Sequence, residues 1–167
     1  MITIGLTQKL AKQLNIELKD PEEYKEIPEI KKWHANLITV NRRKCLIIMN
    51  NETGINLSLF GLRKQQFDNL ENVFKGSLKQ LLQLVKVEED IIKEMLQATD
   101  QIVYTTTDNR RILGMMNEVK KVVEDSVEGL SYEEIDAAEI NYICNVELIY
   151  GPLNANTPVD VLRNYFD

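Results

Sequence analysis

The stretch that most restricts the fold of this chain runs from Trp33 to residue 60, where three β-rich runs follow one another with turn chemistry between them. The runs are residues 36–40, 45–49 and 55–60; NRRK joins the first two, and NNETG the second and third. Asn tolerates the left-handed backbone of tight turns and Gly54 adopts it without steric cost, so residues 36–60 predict a three-stranded meander. The middle run, CLIIM, is apolar at every position rather than at every second one. That pattern predicts cover on both faces of its strand.

Outside the meander the periodicity changes. Ile2 and Ile4 alternate with Thr3 and Gly5 as in a half-buried strand, and Thr7 is placed to cap a helix that uses Leu10, Ala11 and Leu14. Residues 19–32 contain Pro21 and Pro28 and read as a surface connection. Phe67, Leu70, Phe74, Leu78, Leu81 and Val85 recur at helical spacing and predict one long amphipathic helix, followed by a shorter one over 88–98. Residues 101–105 predict a strand, after which Thr107 or Asp108 caps a helix carrying Ile112, Met116, Val119 and Val123. Gly114 within that helix costs about 1 kcal/mol relative to Ala, which suggests close approach of another backbone. Ser131 and Glu134 have capping-box spacing for a last long helix that reaches Ile149 and stops at Gly151 and Pro152. The tail keeps Val161, Leu162, Tyr165 and Phe166, too apolar for a free end, and is expected to dock on the body or on a second copy as a homodimer. The elements add up to one α+β domain over residues 1–167: a mostly antiparallel sheet of about five strands packed against about five helices.

Composition excludes more than it assigns. With 44% hydrophobic and 28% charged residues the chain matches an ordinary globular domain. No apolar run approaches the roughly 18 residues a membrane span needs, and the start MITIGLTQKL lacks a secretory pattern, so a cytoplasmic protein is expected. Cys45 and Cys144, the only cysteines, are too few and too distant in sequence for a disulfide framework or a CxxC pair and are read as buried thiols. Phosphate loops, dinucleotide glycine motifs, serine elbows and zinc-helix motifs are all missing. Neither a metal nor a cofactor is expected, since one histidine and two distant cysteines do not make a standard zinc set. The net charge of −6 is divided: residues 1–86 hold 14 Lys+Arg against 9 Asp+Glu (+5), and residues 87–167 hold 6 against 17 (−11). Such a division either marks a basic face for an anionic partner or lets the two halves of the fold attract each other.

Two segments carry possible chemistry. In WHANLITVNRRKC the sole histidine, His34, precedes a strand whose far end bears Arg42, Arg43 and Lys44. Histidine exchanges protons near neutral pH, and paired arginines suit phosphate. At strand rise the histidine and the arginines are some 20 Å apart, so they share a site only if another element bridges them. In TTTDNRRILGMMN a helix starts directly after a strand with Arg110 and Arg111 beside it; free N–H groups there suit an anion, whereas Asp108 suits an ordinary cap. Asn117 lies further along the same helix.

At these residues the chain resembles an uncharacterised bacterial family, found in plasmid and phage settings, with TQKL, WHANL–NRRK and LGxMN-like elements. The matching residues are Thr7, Gln8, Lys9 and Leu10, then Trp33 to Leu37 and Asn41 to Cys45, then Thr107, Arg110, Leu113, Gly114, Met116 and Asn117. Where such sequences often read LNRxP, this chain has LNANTP, with Ala155 at the Arg position. The resemblance implies no activity; it implies that the three segments share one fold and makes a common polar surface from Lys9, His34, Asn36, Arg42, Arg43 and Arg110 a reasonable expectation. Two functions follow. The first is a non-catalytic binding or interaction domain for a protein partner, whose binding residues would be Lys9, Asn36, Arg42, Arg43, Lys44, Arg110 and Asn117. The alternative is an RNA- or DNA-binding, metal-independent nuclease-like module with His34 as catalytic acid or base and Arg42, Arg43 and Arg110 on phosphates. Whether the chain is an enzyme stays open at this point.

Overall fold

The computed structural model describes residues 1–167. Five strands, β1 (Ile2–Leu6), β2 (Lys32–Val40), β3 (Arg43–Asn50), β4 (Asn56–Leu62) and β5 (Ile102–Thr106), form one sheet in the order β4-β3-β2-β1-β5. The meander β2-β3-β4 is antiparallel, as the turns require. β1 lies between β2 and β5 and runs parallel to both, so the sheet is mixed, with its antiparallel half in the meander. β2 starts at Lys32, four residues before the β-rich run at 36, because Trp33, His34 and Ala35 pair with Ile4, Gly5 and Leu6.

The helices are α1 (Gln8–Leu14), α2 (Lys64–Asp68), α3 (Leu70–Leu84), α4 (Glu89–Gln97), α5 (Arg110–Val127), α6 (Ala137–Tyr142) and α7 (Pro158–Tyr165). The odd positions of β2, Trp33, Ala35 and Leu37, face a core completed by Leu10, Phe74, Leu78, Ile92 and Leu162. Trp33 meets Phe74 edge-on at 5.1 Å, a geometry worth about 1 kcal/mol beyond the area it buries. The even positions Ile38 and Val40 face a second core with Cys45, Ile47, Met49 and the apolar side of α5. CLIIM is therefore buried on both faces, and the fold is a three-layer α+β sandwich. No helix is long and apolar enough to cross a membrane.

Several local expectations are corrected. The long helix expected from residue 67 to 85 is two helices, α2 and α3, broken at Asn69, whose ψ of 33° does not continue the first. The capping box at Ser131 and Glu134 forms, but on a single 3-10 turn, and α6 begins separately with Asp136 accepting from the Glu139 N–H. Gly114 faces open space: nothing lies within 4 Å of where a Cβ would stand, so no backbone approaches it. The tail docks on the body, with Val159 and Leu162 buried in the first core.

The open edge of β4 explains why the last helix is broken. Asn141 accepts from the Ser58 N–H at 2.7 Å and donates to the Ser58 carbonyl at 3.1 Å; Asn145 repeats the pattern on Asn56 at 2.9 and 2.9 Å. The two amides, one turn apart, act as a side-chain strand that satisfies an edge otherwise free to pair with another chain. Asn145 Nδ2 also donates to the Asn141 carbonyl at 2.7 Å. That carbonyl would take the backbone N–H of residue 145 in an α-helix, and the chain widens instead into a π turn over Ile143–Glu147.

Asn141→Ala strands two buried backbone groups and is expected to cost about 2–4 kcal/mol in urea unfolding. Ser58→Ala removes a buried hydroxyl that has no partner, and the expected result is unchanged or increased stability.

Candidate functional site

Two places collect the polar residues, one at each end of α5. The first is the tip of the β2-β3 hairpin. Asn41 and Arg42 have φ of 49° and 65°, which makes the connection a two-residue turn with both residues left-handed. β3 then pairs with β4 so that Lys44 lies opposite Leu62, and the residues after Leu62 are Arg63 and Lys64. Arg42, Arg43, Lys44, Arg63 and Lys64 thus line one groove of about 330 Å³ with Gly61, Leu62 and Phe67.

Two of the lining residues, Gly61 and Arg43, pack on Tyr132. Gly61, at φ 67°, leaves no Cβ; one would stand 1.9 Å from the Tyr132 hydroxyl. The ring itself carries Arg43, whose Cζ is 3.8 Å from the centroid, a cation–π contact. Lys44 is held by Gln13 Oε1 and lies 5.9 Å from the Phe67 ring. Lys64 pairs with Asp68 at 2.6 Å and Arg43 reaches Glu133 at 3.8 Å, while Arg42 and Arg63 have no carboxylate within 4.0 Å. Arg43–Glu133 is the one Lys or Arg pair that joins the basic half of the sequence to the acidic half, so mutual neutralisation of the halves does not use up the basic charge. Lys9 stands one turn before Gln13 on the same face of α1 and extends the basic surface from Lys44.

The second place is the start of α5. His34, 2% exposed, lies against Gly5, where a Cβ would come within 2.8 Å of the ring. Its Nδ1 donates to Asn51 Oδ1 at 2.8 Å, and Asn51 Nδ2 donates to Glu29 Oε2 at 3.0 Å. Nε2 accepts the Asp108 N–H at 3.3 Å and lies 3.3 Å from Asp108 Oδ1, so either protonation state of the ring keeps a partner. Both nitrogens are occupied by the protein itself. Asn109, not Thr107 or Asp108, caps α5, accepting from the Ile112 N–H at 3.1 Å, because Asp108 is turned to His34. Thr7 makes no cap bond to α1; its hydroxyl donates to Asn36 Oδ1 at 2.9 Å, and the same oxygen accepts the Leu37 N–H, while the Nδ2 of half-buried Asn36 bonds to no protein group. Arg111 donates to the carbonyls of Asn51 and Pro152, whereas Arg110 and Asn117 are exposed on α5.

The expected common surface of His34, Asn36, Arg110 and the hairpin arginines is therefore divided. α5 starts at His34 and ends where the Asn41 amide donates to the Leu130 carbonyl, and its 18 residues separate the two places by about 27 Å. The sequence reading assembled Arg42, Arg43 and Lys44 and missed Arg63, Lys64 and Tyr132; the strand register that joins them is a long-range property, although RK directly after GL was a visible signal. No group of three or more His, Cys, Asp or Glu side chains converges on a possible metal position. Cys45 and Cys144 are buried in the second core, and desolvation pushes both thiols up to about 12.

These features define a three-layer α+β domain with an open basic groove at one end and a sealed histidine at the other. The chain belongs to the family described as Domain of unknown function (DUF6933), which matches residues 3–161. No curated protein matches it.

The thiols set an alkaline limit on stability. In the unfolded chain they ionise near 9, whereas in the fold they stay neutral up to about 12, so the native state holds more protons in that window. Their contribution is complete below pH 9 and is lost as pH rises from there towards 12, at about 1 kcal/mol per thiol per pH unit. Urea midpoints at pH 8 and 10.5 check this; the expected fall shrinks when Cys45→Ala and Cys144→Ala are each compared with the parent.

Proposed function

We propose that this chain is a non-catalytic interaction domain that holds an anionic segment of a protein partner in the groove between the hairpin tip and the start of α2. The observation that carries this reading is the cluster of Arg42, Arg43, Lys44, Arg63 and Lys64 around one concavity in a protein of pI ≈ 5.0. Five like charges with only two internal carboxylates beside them repel one another, and an anion relieves that cost. A cytoplasmic setting and, by resemblance, a bacterial plasmid or phage context belong to the same proposal.

The nuclease alternative has less support. A general base must reach the proton it removes, and both nitrogens of His34 already face Asn51 and Asp108 behind a nearly closed surface. Phosphate contacts from Arg42 and Arg43 would fall at the opposite end of α5. Aromatic platforms for bases are also lacking at the groove: Phe67, the one aromatic residue that lines it, is buried.

Poly-L-glutamate serves as a plain acidic-chain probe. Its binding is expected to weaken between 50 and 200 mM salt, to weaken at least about tenfold in the Arg42→Ala/Arg63→Ala double variant, and to persist in His34→Ala. Binding that ignores the double variant contradicts the proposal, as does cleavage of labelled RNA or DNA that disappears in His34→Ala.

A further inference from the structure

We infer that the groove is a phosphate subsite: the anion it selects is a phosphate monoester in its doubly charged form, carried on a flexible segment of the partner. The inference rests on the reading of the groove as the partner face and adds the chemistry of the group held there.

Charge is the first argument. Five cationic residues line the groove, and two carboxylates, Asp68 on Lys64 and Glu133 near Arg43, face members of the set. The difference, 5 − 2, is three uncompensated positive charges. A single carboxylate satisfies one of them; a phosphate monoester brings close to two charges and three acceptor oxygens.

Geometry is the second. Three of the cations are already anchored: Arg43 on Tyr132, Lys44 on Gln13 and Lys64 on Asp68. The two without such anchors, Arg42 and Arg63, are both guanidinium groups, whose planar fork matches phosphate oxygens in pairs in a way an ammonium does not. One comes from the hairpin tip and the other from the residue after β4, so an anion between them bridges two separate segments. Arg42 also occupies the second position of a left-handed turn, with φ 65°, where Gly is free of strain and other L residues are strained. The charged side chain is placed there with no salt bridge or side-chain hydrogen bond within the chain to offset that strain.

The third argument selects the carrier. A groove of about 330 Å³ whose one aromatic lining residue, Phe67, is buried accepts a phosphate and its attachment but offers no stacking surface to a base. A phosphorylated side chain on an extended peptide fits those limits.

The test is a set of ¹⁵N-detected titrations of the full chain with blocked phosphoserine, blocked glutamate, a short phosphoserine peptide and an oligothymidylate. The sole histidine is outside the groove, so between pH 5.5 and 7.5 the titrating group is the phosphate itself, whose second ionisation lies near 6. Phosphoserine is expected to perturb amides 41–44 and 61–64, to bind about tenfold tighter than glutamate, and to weaken several-fold at pH 5.5. The peptide is expected to bind tighter than the blocked residue. Arg42→Lys and Arg63→Lys, which keep the charge but not the fork, are expected to lose most of the preference for phosphoserine over glutamate. Glutamate binding as tightly as phosphoserine, or an affinity indifferent to pH, overturns the inference and leaves the acidic-segment reading standing. No perturbation of the groove by any anion overturns both. Oligothymidylate binding above the peptide, or the blocked residue binding as tightly as the peptide, replaces the proposed carrier by nucleic acid or by a free phosphate ester.

Discussion

Much of this structure follows from the double-sided burial of β3. A strand with Cys45, Leu46, Ile47, Ile48 and Met49 all out of water needs a layer on each side, and α1, α3 and α4 supply one while α5 and α6 supply the other. At roughly 25 cal/mol per Å² of apolar surface, such a strand left open on either face would cost several kcal/mol, comparable to the whole stability of a domain. Because β3 is fixed from both sides, its two turns are fixed as well. The β2-β3 turn projects Arg42 and Arg43 at one end of the sheet, and the pairing of Lys44 with Leu62 brings Arg63 and Lys64 beside them. The basic groove is thus a consequence of strand register.

The same register decides what the histidine does. β1 enters between β2 and β5, and Gly5 comes opposite His34, leaving room for an imidazole that a Cβ at position 5 would displace. From there the ring ties the 51 loop to the residue before the α5 cap. His34 is a component of the joint between β1, β2 and α5, and both its nitrogens are spent inside the fold, as is the Oδ1 of Asn36. The asparagines of the last helical segment work in the same way: Asn141 and Asn145 complete a sheet edge rather than present amides to a ligand.

How much of this was legible in the sequence depends on the range of the interaction concerned. The meander, the two-faced burial of CLIIM and the buried thiols follow from local periodicity and turn residues, and the structure contains them. The interior position of β1, between β2 and β5, was not legible, because a parallel pairing of Gly5 with His34 leaves no mark in either segment alone. The break at Asn69 and the π turn were hidden for a related reason: the apolar spacing continues through both, and only the demands of β4 on Asn141 and Asn145 interrupt the second. At the groove, NRRK drew attention by itself, whereas Arg63 and Lys64 became part of the site only through the β3-β4 ladder. Gly61 became intelligible once Tyr132 was seen resting on it.

The central claim is that the working surface of this domain is the basic end of the sheet and not the start of α5. Crystals soaked in tungstate, a tetrahedral dianion visible by anomalous scattering, test it directly. The account predicts an anomalous peak between Arg42 and Arg63, absent in the Arg42→Ala/Arg63→Ala variant. A peak at Arg110 and Arg111 with none in the groove would contradict it.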